Sequence, residues 1–324
     1  MRAFTEDYRP PAWLPGPHAQ TIYPALFAPR PSVAYRRSLW PTPDGDAVAV
    51  DDAAAVAPPA APTVVLLHGL EGDSSGHYAR SLVAAAVGCG WRARVIHWRG
   101  CGGVPVQAPR AYHSGDSDEL DWMLERAARE AGGAVFVVGI SLGGNVLVKW
   151  LGERGRSAAA RVHAAAAVSV PFSLAAGAST LARGFGRVYT RHFLATMRPK
   201  ALALLARHPG LFDRSRMLAA DTLYDFDDCF TAPVHGFRSA DDYYARSSAG
   251  PFAGGIGVPT LLVSARNDPF LPATHLPDPR GLPADVQAFQ TDQGGHAGFC
   301  QGAFPGGLDW LPAGIIRFFD SIRG

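Results

Sequence analysis

The sequence predicts an α/β fold: a mostly parallel β-sheet flanked by helices and interrupted by a helical cap insert. Three observations carry this. Short, β-rich apolar runs without alternation recur along the chain, as in strands buried on both faces. Segments of helical periodicity separate them, the arrangement of repeated strand–helix–strand units. After Pro171 the rhythm stops for roughly 85 residues, too long for a bare loop, and it resumes at Thr260.

Residues 1–45 are rich in Pro and aromatic residues with little periodicity, and are expected to form an arm packed on the body. Residues 1–10 are polar and contain no apolar leader segment. An Ala/Pro linker at 53–62 precedes the first clear strand, Thr63–Leu67 (T-V-V-L-L), which ends at His68-Gly69. Residues 93–98 and 134–140 read as the next two strands. Between them Leu120, Met123, Leu124, Ala127, Ala128 and Ala131 recur at helical spacing, with Asp121, Glu125, Arg126 and Arg129 on the other face. Asp116, Asp118 and Glu119 stand at the start of that helix, where its dipole favours negative charge. Residues 161–170 read as a further strand. The cap insert is expected over 171–255. Strands return at Thr260–Ala265 and Val286–Thr291, and residues 309–322 read as a closing amphipathic helix. The body is therefore expected from 46–170 together with 256–324.

Composition narrows the function. The 324 residues, 48% of them hydrophobic, are enough to bury a large core. A net charge of +2 and the lack of a Lys/Arg block argue against nucleic acid as a partner. The four cysteines form no C-x-x-C pair and no Cys/His set at zinc spacing, so reduced thiols, a cytoplasmic setting and no metal are expected. The most apolar stretch, 162–178, contains His163 and Pro171 and falls short of the roughly 18 clean apolar residues of a membrane span, so no stable membrane anchor is expected.

The chemistry is carried by Gly139-Ile140-Ser141-Leu142-Gly143, a match to G-x-S-x-G. It follows an apolar strand and opens the helical pattern Leu142, Val146, Leu147, Trp150, Leu151. That strand–turn–helix setting is the nucleophile elbow of the α/β-hydrolase fold, with Ser141 as nucleophile and Gly139 and Gly143 leaving room for the helix to pass. A serine hydroxyl needs a neighbouring base. Of the histidines downstream, His163 falls in a strand, His192, His208 and His235 fall in the insert, and His275 sits among prolines. His296, in Gly294-Gly295-His296-Ala297-Gly298, follows the last strand, where the base of this fold belongs. Asp268 follows the strand Thr260–Ala265 and is held by Pro269. It is the expected acid, since Asp292 is too close to His296 along the chain to reach back from another strand. The oxyanion donors are expected to be the backbone N–H groups of Leu142 and of Leu70, with Gly69 permitting the turn and His68 supporting the loop.

The chain resembles the YheT-like branch of the α/β-hydrolases over nearly its whole length. Besides the three residues above, the resemblance rests on His18-Ala19-Gln20-Thr21, on Arg99-Gly100-Cys101 with Tyr112-His113-Ser114-Gly115, on Gly236-Phe237 followed by Asp242-Tyr243-Tyr244, and on the G-G-H-x-G-F frame of His296. It implies a carboxylic-ester hydrolase and supports Ser141, Asp268 and His296 residue by residue. Tyr112 and His113 are expected to pack and hydrogen-bond beneath the site, and Glu71 to be a surface charge. Arg183, Arg187, Arg191 and Arg198 read as the solvated face of an insert helix, with an anionic head group as the alternative.

The expected reaction is hydrolysis of a small-molecule ester of short-to-medium acyl length through an acyl-enzyme intermediate, without a cofactor. The same triad also serves an acyltransferase or a lipid-ester lipase. A hydrolase-fold binding protein with idle machinery is the reading from another class.

Overall fold

The apolar runs become the centre of one eight-stranded sheet. The computed structural model describes residues 8–53 and 57–323; the start of the expected arm and three residues of the Ala/Pro linker lie outside them. The strands are β1 (Tyr35–Pro41), β2 (Ala47–Ala53), β3 (Thr63–Leu67), β4 (Arg92–Ile96), β5 (Val135–Ile140), β6 (Ala164–Val168), β7 (Thr260–Ala265) and β8 (Val286–Thr291). Their spatial order is β1-β2-β4-β3-β5-β6-β7-β8. The pairs β1–β2 and β2–β4 are antiparallel, and every later pair is parallel.

The helices are α1 (Gly16–Leu26), α2 (His77–Gly88), α3 (Ser117–Glu130), α4 (Leu142–Arg154), α5 (Leu174–Leu181), α6 (Gly186–Arg207), α7 (Arg214–Ala219), α8 (Leu223–Phe226), α9 (Ala232–His235), α10 (Ala240–Ser247) and α11 (Trp310–Arg323). The run from α5 to α10 occupies the interval between β6 and β7, so the expected insert is helical. The sheet is covered on both faces. Leu120 and Met123 of α3 and Leu147 and Trp150 of α4 pack on one side with Val65 and Val137. Leu82 and Val83 of α2 and Ile315 and Phe319 of α11 pack on the other with Leu66 and Phe136. Neighbouring residues of β3 and β5 thus enter opposite layers, which is why these strands read as continuous apolar runs. Phe319 stacks on Phe136 with ring centroids 4.6 Å apart. Burying one such side chain fully contributes about 1.5–3 kcal/mol.

The N-terminal arm differs from expectation. It holds α1 and β1, and β1 forms a hairpin with β2 in which Tyr35 faces Ala53 and Pro41 faces Ala47. A division at residue 45 therefore falls inside a hairpin turn. β1 is an edge strand in which Trp40 alone is buried, so it presents no apolar run. In β2 the pair Asp51-Asp52 interrupts the pattern. Both carboxylates are matched across the sheet, Asp51 by both donor arms of Arg37 at 2.7 Å and Asp52 by Arg94 Nε at 2.6 Å. The strand expected over 161–170 is shorter, because a 3-10 turn at Gly155–Ala160 delivers the chain to Ala164.

Because β3, β5, β7 and β8 run parallel, the segments that follow them emerge at one edge of the sheet. These segments carry residues 68–72, Ser141, Asp268 and His296.

Candidate active site

Ser141 occupies the sharp turn between β5 and α4 with φ 54° and ψ −116°. Such a backbone is strained for a residue with a Cβ and persists only where its surroundings hold it. Here its N–H donates to Val168 O at 2.8 Å on β6, and its own carbonyl accepts from Asn145 N at 2.9 Å. Two glycines make the turn possible. A Cβ on Gly139 would lie 2.5 Å from Gly143 O, and one on Gly143 would lie 2.7 Å from His68 O. One turn further along α4, buried Asn145 donates to Ser114 O and Ser247 O, both at 2.7 Å, and accepts from Ala249 N at 2.9 Å. This side chain ties the helix behind the serine to the Y-H-S-G segment and to the end of α10.

His296 and Asp268 are brought together from segments 28 residues apart, with His296 Nδ1 2.8 Å from Asp268 Oδ2 and their side chains 10% and 1% exposed. Asp268 Oδ1 also accepts Phe270 N–H at 2.8 Å, and the Phe270 ring stacks on the imidazole at 4.2 Å. With Nδ1–H donated to a carboxylate, Nε2 is left as the lone-pair nitrogen. Asp292 is exposed and forms no part of this pair.

The segment around His296 is anchored by residues whose role the sequence reading did not assign. Thr21 Oγ1 accepts His296 N–H at 2.9 Å, and Gln20 Oε1 accepts Gly294 N–H at 3.0 Å. Gln20 Oε1 also accepts from Asn267, beside the acid, at 2.9 Å, and Asn267 Oδ1 accepts Gly295 N–H at 3.1 Å. Ser169 Oγ accepts Ala297 N–H at 3.0 Å, and His77 Nε2 lies 3.0 Å from Ala297 O. The H-A-Q-T motif on α1 is therefore a brace joining the acid and base loops. The sequence offered the H-A-Q-T motif itself, but the burial of Gln20 and Thr21 that makes it a brace appears only in the fold.

The loop after β3 is similarly constrained. Gly69 N–H donates to Tyr78 Oη at 3.2 Å, Glu71 N–H to Tyr112 Oη at 3.0 Å, and Gly72 N–H to Gly69 O at 3.0 Å. Among the described residues the Leu70 amide, between these, meets no backbone acceptor. Glu71 is not a surface charge. Its side chain is 6% exposed, its φ is +57°, and its carboxylate receives Tyr112 Oη–H at 2.7 Å and Lys200 Nζ of α6 at 2.9 Å. Burial and the neighbouring Cys101 and Glu71 hold the Tyr112 hydroxyl well above its usual range, so it remains a donor. His113 accepts Gly115 N–H through Nδ1 at 3.1 Å and packs against the rings of His235 and Tyr243. Arg99 is buried among Asp44, Asp46 and Glu119 at 3.1, 3.1 and 3.3 Å, so Glu119 serves this ion cluster as well as the start of α3.

Two buried histidines next to these loops are neutral. His68 Nε2 accepts Trp98 N–H at 3.1 Å while Nδ1 lies 2.7 Å from Gly69 O. Burial, reinforced by nearby His97, pushes its pKa down to about 3. Burial likewise brings His77 down to about 4. An unfolded imidazole titrates near 6.5, so below that pH the unfolded chain binds protons that the folded one refuses. The stability these groups contribute is complete above about pH 6.5 and is lost as pH falls toward their folded values. The slope is on the order of 1.4 kcal/mol per pH unit for each ring. The urea midpoint is expected to drop between about pH 7 and about pH 5, with both rings still neutral by NMR in the folded protein. Protonation of either ring near pH 6 in the folded state would contradict the argument.

Ser141, Leu142, Leu70 and His296 share one cavity of about 700 Å³. Of the insert aromatics, Tyr189, Phe193, Phe226, Phe230 and Tyr243 line it, as do Ile22 and Leu26 of α1. Phe185 does not line it: it is 46% exposed, with its ring over His18 at 4.3 Å, because it precedes the first turn of α6 and meets α1. Among the described residues no group of three or more His, Cys, Asp or Glu side chains is placed to hold a metal ion, and no helix is long and apolar enough to cross a membrane.

The similarities to known proteins agree with this architecture. A family model described as the alpha/beta hydrolase fold matches residues 62–303. YheT of Escherichia coli (strain K12), which carries an esterase name, is 38% identical over 92% of this chain and 88% of its own. The phospholipase ABHD3 of Mus musculus is 29% identical over 93% of this chain and 75% of its own. Among solved structures, the esterase Pf2001 of Pyrococcus furiosus superposes with a TM-score of 0.56 at 16% identity, covering 91% of this chain and 98% of that one, a likeness of fold.

Proposed function

Because the chain belongs to the α/β-hydrolase fold family, in its YheT-like branch, we propose that this ester hydrolase works through Ser141, His296 and Asp268 on short-to-medium acyl esters. The observation that carries the reading is the 2.8 Å contact between His296 Nδ1 and Asp268, in a cavity shared with a serine on a strained turn. Ser141 Oγ attacks the ester carbonyl while His296 Nε2 takes its proton. Asp268 holds the ring and stabilises the imidazolium that forms. The tetrahedral oxyanion is met by the backbone N–H groups of Leu142 and Leu70. His296 returns the proton to the leaving alcohol. Water, activated by the same imidazole, then releases the acid and regenerates the serine. The four thiols are free and Cys89 is exposed, which fits a reducing, cytoplasmic setting.

The acyl chain is assigned to the aromatic and aliphatic part of the cavity. Each methylene buried there contributes about 0.8 kcal/mol, close to fourfold in binding. With monomeric p-nitrophenyl esters, kcat/KM is expected to climb from acetate through the medium chains and decline once the cavity is filled. An acetate optimum would remove the insert from acyl recognition. Reaction with a fluorophosphonate probe tests the nucleophile directly. A protein that binds esters but takes up no probe would fit the idle, non-catalytic reading instead.

A further inference from the structure

The cavity opens between α1 and the first half of α6, and its lip is apolar and exposed. Leu26 and Val188 both line the cavity while remaining 64% and 49% exposed. Beside them Phe27 is 67% exposed. Phe304, 72% exposed, sits edge-on to Trp13 at 5.4 Å and approaches Tyr23 of α1. The Phe185–His18 contact closes the lip between α1 and α6. Isolated exposed hydrophobics are ordinary on a protein surface, but a cluster around the opening of a binding cavity is not.

The two chain segments that carry α1 and the first part of α6 bear charge of one sign. The chain contains 28 acidic residues, yet residues 8–43 and residues 172–207 contain none. Exposed Arg187 and Arg191 lie one turn apart on one side of α6, and exposed Arg183 stands in the turn that precedes the helix. Arg187 and Arg191 each immediately precede a cavity-lining residue, Val188 and His192. Apolar side chains flanked by arginines, with no acid among them, match the boundary of an anionic lipid layer, where chains enter the acyl region and guanidinium groups meet phosphates.

We propose that this lip docks on an anionic lipid surface, presenting the cavity to esters held in that surface. The proposal extends the ester-hydrolase reading to where substrate is met, but the docking does not depend on catalysis. Leu26, Phe27 and Phe304 enter the interface, and Arg187 and Arg191 contact head-group phosphates.

The test is co-sedimentation with vesicles of phosphatidylglycerol mixed with phosphatidylcholine, against vesicles of phosphatidylcholine alone, at low ionic strength. The wild-type chain should partition onto the anionic vesicles and be released by salt. Replacing Arg187 and Arg191 together by Gln should weaken partition roughly 30-fold. Phe27→Ser with Phe304→Ser should weaken it as well. None of these four residues lines the cavity, so both variants should hydrolyse a monomeric p-nitrophenyl ester like wild type, which also verifies their fold. Ser141→Ala should bind vesicles undiminished, so loss of the catalytic reading and loss of this one are distinguishable. Absence of wild-type binding, equal binding to both vesicle types, or retention of binding in both folded double variants would overturn the proposal. So would a lipid-free dimer abolished by the same substitutions, since the lip would then be covered by a second copy of the chain.

Discussion

Ser141→Ala is expected to lower kcat by about 10⁴- to 10⁶-fold while leaving the fold and ester binding nearly unchanged. The substitution removes one oxygen and no packing group. Alanine inherits the same positive φ, so the strain of the turn neither grows nor disappears, and the Val168 and Asn145 backbone contacts are retained. What remains is the catalysis supplied by the oxyanion donors and by binding alone. The measurement is kcat and KM on a p-nitrophenyl ester together with fluorophosphonate labelling and a urea-unfolding curve. Covalent probe on another serine, or a variant retaining a tenth of the activity, would refute the assignment of the nucleophile.

Asp268→Asn should cost about 10⁴-fold in kcat, with KM close to wild type. Asparagine keeps the volume of the 1%-exposed carboxylate, and its oxygen can still accept Phe270 N–H. Its amide nitrogen, however, donates where the carboxylate accepted. The imidazole must then place its proton on Nε2, the nitrogen that has to receive the serine proton, and the charge that balances the imidazolium is gone. Asp292→Asn is the matched control, because Asp292 is exposed and its change should be silent. A loss below tenfold at Asp268, or a large loss at Asp292, would move the acid elsewhere.

Much of the architecture was legible because it is written in local pattern. The strands Thr63–Leu67 and Thr260–Ala265 coincide with the apolar runs, since a strand covered on both faces leaves every position buried. Ser141 was legible for a related reason: a turn so tight needs small residues at fixed spacing from the serine, and that requirement leaves a motif. His296 and Asp268 followed from their positions after strands. Their separation of 2.8 Å is a property of the parallel sheet, which brings the ends of β7 and β8 side by side.

Other features had no local signature. β1 is exposed over most of its length and is recognised as a strand by its partner, not by its own pattern. Glu71 is an ordinary charged residue in the sequence. Only when α6 places half-exposed Lys200, 129 positions away, beside it does its buried carboxylate gain the ion pair that steadies the loop of Leu70.

The strands β3 to β8, the helices α3, α4 and α11, the elbow and the candidate residues were thus legible in the sequence alone, because each depends on residues within a few positions of one another. The brace of Gln20 and Thr21, the Glu71–Lys200 pair, the cavity and its basic, apolar lip were decided only by tertiary structure. Their hydrogen bonds and burial join segments distant along the chain, and burial is what turns common polar side chains into fixed partners.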